Sequence, residues 1–103
     1  GEDPAECGRR ELSEEAGRTC ERYTYLGKLF PTPAYDTEVI HMYLAEKLSR
    51  PTAQNLDEGE FLDVTELPLE EAVQMVMEDQ IPDAKTQIAL LKTYFLLQQR
   101  KNS

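Results

Sequence analysis

The stretch Asp3-Pro4-Ala5-Glu6-Cys7-Gly8-Arg9-Arg10-Glu11-Leu12-Ser13-Glu14-Glu15-Ala16-Gly17 decides how the rest of this chain is read. Asp3 can accept from the free amides of a first helical turn. Pro4 suits the first helical position, where its missing N–H is not needed, and Glu6 completes a capping box. Gly17 ends the helix, because glycine enters the left-handed conformation without steric cost. The apolar stripe of Ala5, Gly8, Leu12 and Ala16 is thin and made of small residues, which predicts a helix packed closely against a sheet. On the polar side Glu11, Glu14 and Glu15 stand at i, i+3 and i+4, a spacing that puts three carboxylates on one face within about 6 Å of their helical neighbours. Three like charges so placed repel. A divalent cation would relieve the repulsion, and an all-oxygen donor set selects hard ions such as Mg²⁺ or Mn²⁺ over zinc. Arg10, four residues before Glu14, can pair with it and hold a carboxylate in a ligating rotamer. On spacing alone an acidic, solvent-facing helix with ordinary charge pairs accounts for the same residues, and it is the simpler account.

Outward from this helix, two stretches read as strands, 22–30 and 38–48. The second contains the run Val39-Ile40-His41-Met42-Tyr43-Leu44-Ala45, expected of a strand buried on both faces, with His41 a core histidine. A shorter strand is expected over 61–67. Two helices close the chain: one begins at Pro68 with Leu69, Ala72, Val73 and Val76 facing inward, and the other is capped by Asp83 with Ala84, Ile88, Leu91 and Phe95 inward. Arg100 and Lys101 suit the negative end of the last helix. Prolines 31, 33, 51, 68 and 82 mark the turns. Three strands and three helices make an α/β or α+β arrangement whose sheet is too small to cover the first helix.

Composition sets the outer bounds. The chain has 103 residues, with 20 Asp+Glu against 11 Lys+Arg and a net charge of −9, which argues against nucleic acid as a partner. No basic residue lies between Arg50 and Lys85, while ten acidic residues do, an arrangement that usually marks a solvated face. No apolar run approaches the roughly 20 residues of a membrane span, and no basic region followed by an apolar segment opens the chain. Cys7 and Cys20 fit neither a metal-ligand spacing nor a disulfide framework, so both are expected as free thiols in the cytoplasm.

Glu2 through Arg18 resembles the Nudix box, whose pattern is Gly, five residues, Glu, seven residues, then Arg-Glu-apolar-x-Glu-Glu-x-Gly-apolar. Glu2 is the lone Glu, Asp3 through Arg9 are the seven spacers, and Arg10-Glu11-Leu12-Ser13-Glu14-Glu15-Ala16-Gly17 falls on the remainder. Arg18 stands where the pattern has an apolar residue. Downstream, Phe30-Pro31-Thr32-Pro33-Ala34-Tyr35-Asp36-Thr37-Glu38 is similar to the Ser-Pro-Gly-aromatic loop of the ADP-ribose pyrophosphatase subfamily, with Thr32 and Ala34 replacing its Ser and Gly. Ile40 through Ala45, Asn55 through Phe61 and Asp83 through Thr86 extend the resemblance over nearly the whole chain.

The resemblance implies a Nudix-type α/β/α sandwich and metal-dependent hydrolysis of a nucleoside diphosphate linked to another moiety, here ADP-ribose to AMP and ribose 5-phosphate. It assigns Glu11 and Glu15 as ligands of Mg²⁺ or Mn²⁺, with Glu14 assisting and Arg10 orienting them. In the acidic turn Asp57-Glu58-Gly59-Glu60, Glu58 becomes the general base and Glu60 a further metal ligand, with Gly59 supplying backbone freedom; a merely solvated turn is the alternative. Pro33, Tyr35 and Glu38 are the candidate substrate contacts. Relatives carry about half of their domain ahead of the box, including sheet strands and a dimer-forming extension. Residues 1–103 are therefore expected to be the C-terminal part of a single domain that works as a homodimer on a nucleoside diphosphate sugar. The competing expectation is a catalytically incompetent piece acting as a structural or self-association module.

Overall fold

The computed structural model describes residues 3–31, 38–50 and 66–102. In chain order these form α1 (Pro4–Glu11), a π-helical turn (Leu12–Ala16), β1 (Cys20–Leu29), β2 (Ile40–Leu48), α2 (Leu69–Met77) and α3 (Ala84–Lys101). β1 and β2 pair in a two-stranded antiparallel sheet, and with the helices this is the α+β arrangement expected from the sequence. The described residues gather into two compact units, one made of 3–25 and 43–50, the other of 26–31, 38–42 and 66–102.

In the first unit α1 begins as its residues dictate. The Asp3 carboxylate accepts from the Glu6 N–H at 3.4 Å, and Pro4 occupies the first turn. The run closes at Gly17, whose φ of 65° is left-handed and whose N–H donates to the Ser13 carbonyl at 3.0 Å. Between these ends the helix is not uniformly α: from Leu12 it widens into π geometry. The close packing expected from the small-residue stripe is present. Gly8 lies against the Tyr23 hydroxyl and within van der Waals reach of Tyr43, a space no larger residue would leave. At the far end of the strand pair the Thr19 N–H donates to the Ser49 hydroxyl at 2.9 Å, and the Ser49 N–H donates to the Thr19 carbonyl at 2.8 Å.

In the second unit α2 packs on α3. Ala72 and Val76 are buried and Leu69 and Val73 half-buried, as their spacing predicts. α2 ends in a Schellman motif with Asp79 left-handed at φ 62°: its N–H reaches the Val76 carbonyl at 3.1 Å, and Gln80 reaches that of Met75 at 2.8 Å. Asp83 caps α3, accepting from the Thr86 N–H at 2.9 Å and the Thr86 hydroxyl at 2.7 Å. These two bonds, the hydroxyl first, hold the Asp83 carboxyl below the usual carboxylate range. Gly27 takes φ 133°, and the Lys92 ammonium fills the space a side chain there would need while donating to the Leu26 carbonyl at 2.8 Å.

Three expectations change, and a fourth lies mostly outside the described residues. Of the run over 39–45 only Met42 is buried, whereas Val39 and His41 are exposed, so His41 is not a core histidine. A strand buries both faces only where a layer lies on each, and the described residues supply too few elements for that. On α3, Ile88 and Leu91 are half-buried, but Ala84 is exposed and Phe95 is 64% exposed, because the apolar positions spread around this helix rather than forming one stripe. Residues 61–65 of the third expected strand lie outside the described residues, and Glu66 and Leu67 carry no regular structure. Strand boundaries also move, β1 beginning at Cys20 and β2 at Ile40.

Candidate active site on the carboxylate helix

Every acidic side chain of the α1–π run is exposed. The Arg10 guanidinium donates through Nη1 to both Glu14 carboxylate oxygens, at 3.2 and 3.0 Å, and through Nη2 to the Cys7 sulfur at 3.7 Å. The Cys7 thiol in turn donates to Glu11 Oε1 at 3.6 Å. Among the described residues no hydrogen bond or ion pair engages Glu15. One carboxylate is therefore clamped, one lightly held and one open to an incoming ligand. The exposed Arg10–Glu14 pair adds little to stability, and its effect is to choose a rotamer.

The π turn alters the geometry expected from spacing. A turn closed by i→i+5 bonds is wider than an α turn, so the i+3 residue swings away from the face it would share while the i+4 residue stays near it. Glu11 and Glu15 thus remain companions, and Glu14 turns toward Arg10. Among the described residues no three His, Cys, Asp or Glu side chains converge as a ready metal cage. The donor set nonetheless fits a hard divalent cation, because Mg²⁺ takes one or two protein carboxylates and completes its shell with water and substrate phosphate oxygens.

Beneath the run lies a support that the reading of carboxylate spacing did not contain. Tyr23 on β1 stacks on Tyr43 of β2 with ring centroids 4.7 Å apart and planes 6° from parallel, and Tyr25 meets Tyr43 at 5.2 Å. The Arg9 guanidinium sits over the Tyr23 ring at 4.5 Å. Burial pushes the Tyr23 hydroxyl above its ordinary value, with Tyr43 adding to the shift and Arg9 opposing it, so the hydroxyl stays protonated at neutral pH. The signal in the sequence was Gly8 in the small-residue stripe together with tyrosines at 23 and 25, alternate positions of one strand.

The remaining candidates divide simply. Glu38 is exposed, just before β2. Pro33, Tyr35, Glu58 and Glu60 lie outside the described residues. No helix among the described residues is long and apolar enough to cross a membrane.

A small α+β framework presents, from a π-interrupted helix, exposed carboxylates of the kind that hard divalent cations take as ligands. The NUDIX domain model matches residues 1–91, and the chain belongs to that family. It is 45% identical over 91 residues to a methanol dehydrogenase activator of Bacillus methanolicus, covering 87% of this chain and 49% of that protein. It is 38% identical over 91 residues to an ADP-ribose pyrophosphatase of Bacillus subtilis, with the same coverage of 87% and 49%. A GDP-mannose pyrophosphatase of Klebsiella pneumoniae is 36% identical over 91 residues, covering 86% of this chain and 46% of the relative. The chain thus spans about half the length of the curated relatives it matches. Nudix hydrolases generally need divalent metal ions.

Proposed function

We propose that the protein hydrolyses the phosphoanhydride of a nucleoside diphosphate sugar, with ADP-ribose as the substrate and AMP and ribose 5-phosphate as products, and that it uses Mg²⁺ or Mn²⁺ to do so. The observation that carries this reading is the division of labour on the carboxylate helix, in which Arg10 fixes Glu14 while Glu15 stays open. Two relatives named as pyrophosphatases of ADP-ribose and GDP-mannose support the substrate class.

Glu11 and Glu15 would hold the divalent ion, with Glu60 as a further ligand. Once bound, the ion neutralises phosphate oxygens and acidifies a water molecule. Arg10 keeps the Glu14 carboxylate turned to one side, so that it assists without competing for the same position. Glu58 takes the proton of the attacking water as its oxygen bonds to one phosphorus, and the bridging oxygen leaves with the other phosphate. Pro33, Tyr35 and Glu38 would contact the nucleoside and ribose. The homodimer belongs to the same proposal, supported by apolar side chains such as Met77 and Phe95, 70% and 64% exposed. Cys7 and Cys20 stand as thiols outside any disulfide, in keeping with a cytoplasmic location.

The test offers the intact protein ADP-ribose and GDP-mannose in parallel with Mg²⁺ and with Mn²⁺, and follows the products by chromatography. Equal amounts of AMP and ribose 5-phosphate, formed faster than GMP, are expected. Faster release of GMP would move the substrate, and no cleavage of either compound with either ion would overturn the reading.

A further inference from the structure

We propose that Tyr23 is a positioning residue for the carboxylate helix: its ring, held by Arg9 and Tyr43 with its hydroxyl against Gly8, sets the depth at which α1 seats on the strands and so where Glu11 and Glu15 meet a divalent cation. This rests on the metal-dependent reading above.

Arg9 lies over the Tyr23 ring at 4.5 Å and Tyr43 stacks on it at 4.7 Å with the planes 6° apart, and the two contacts together restrain the ring from tipping. In-plane, the ring ends against the helix backbone. A Cβ built on Gly8 would collide with the Tyr23 hydroxyl, stand 3.3 Å from Cζ and touch Tyr43 Cδ2 at 3.6 Å. A pinned ring cannot give way, so a side chain at position 8 must lift the helix instead. Glu11 follows Gly8 by one turn, and its partner Glu15 follows within the same run, so a lift at Gly8 displaces both. Helix propensity alone points the opposite way, since alanine is the better helix former. The two effects are therefore separable.

Replacing the tyrosine by phenylalanine keeps the stack and removes the colliding hydroxyl. The remaining Cζ contact of 3.3 Å is tight, but small shifts can absorb it. Direct Mn²⁺ binding to the intact protein, read by electron paramagnetic resonance, tests the idea alongside the metal concentration for half-maximal turnover. Gly8→Ala is expected to weaken Mn²⁺ binding about tenfold, in the range typical of outer-shell supports. Tyr23→Phe, which removes the hydroxyl and leaves α1 a looser seat, should weaken Mn²⁺ binding a few-fold, and the Gly8→Ala/Tyr23→Phe double variant, in which the alanine methyl takes up the vacated space, should return to within about threefold of wild type. Half-maximal metal should shift in parallel, with turnover at saturating metal changing less. Wild-type affinity in Gly8→Ala, or a double variant as weak as Gly8→Ala, would overturn the positioning role while leaving the metal site standing. A wild-type protein that binds no Mn²⁺ would overturn both.

Discussion

Two helices of this chain open on an aspartate and then behave differently. In α3 the Asp83 carboxylate accepts two short bonds from Thr86, and the helix runs regularly for 18 residues. In α1 the Asp3 cap is longer, at 3.4 Å, and after 8 residues the α register gives way to a π turn. Neighbouring α2 is gripped through buried Ala72 and Val76, whereas no residue of α1 or of the π turn is buried. Where a helix carries its carboxylates on the surface and is held through a glycine, a tyrosine and an arginine, there is little apolar burial to enforce α geometry. Where helix packs on helix, as α2 does on α3 through Ala72 and Val76, the geometry is kept in both. The irregular helix is the one on which the proposed chemistry rests, and π turns are frequent at functional sites.

The contrast can be broken at either end. Arg10→Ala, which frees Glu14, should lower turnover or metal affinity about 10- to 100-fold while the unfolding midpoint hardly moves, because an exposed ion pair contributes little stability. Unchanged turnover would remove the clamp from the account. On the α2–α3 side the signs reverse: Val76→Ala should destabilise by about 1–2 kcal/mol in urea titration and leave turnover at permissive temperature intact. A loss of turnover without a loss of stability would show that the two helices do not divide their roles in this way.

The smallest expected effect is at the better-made cap. Asp83→Ala should lower the thermal midpoint by a few degrees, on the order of 4 °C, at neutral pH. Because Thr86 holds the folded-state Asp83 carboxyl below its ordinary value, the cap's contribution is complete above that ordinary value. It is lost as pH falls through the lowered one. The gap between wild type and variant should therefore close in acid, and a gap constant down to about pH 2 would contradict the assignment.

What could be read from the residues was local. The ends of α1, the Asp83 cap, the inner stripe of α2 and the Arg10–Glu14 pair depend on neighbours three or four positions away, and short-range chemistry decides them. The π turn was not legible, because residues 12–16 keep ordinary helical spacing and no glycine or proline within them marks a change of register. The exposure of His41, Ala84 and Phe95 was not legible either. An apolar run states what a strand or helix could bury, but burial requires other layers. Glu58, Glu60, Pro33 and Tyr35 drew their roles from the resemblance to the Nudix pattern rather than from spacing, and Glu38 did likewise.

The central claim is that the open carboxylate of Glu15 binds the ion on which hydrolysis depends. It is tested most directly by comparing wild type and Glu15→Gln in the intact protein, following ADP-ribose cleavage across a Mg²⁺ titration together with the thermal midpoint. The account predicts a loss of turnover on the order of a hundredfold or more, only partly relieved by added metal, with the midpoint unchanged. Wild-type turnover in Glu15→Gln at every metal concentration would contradict it.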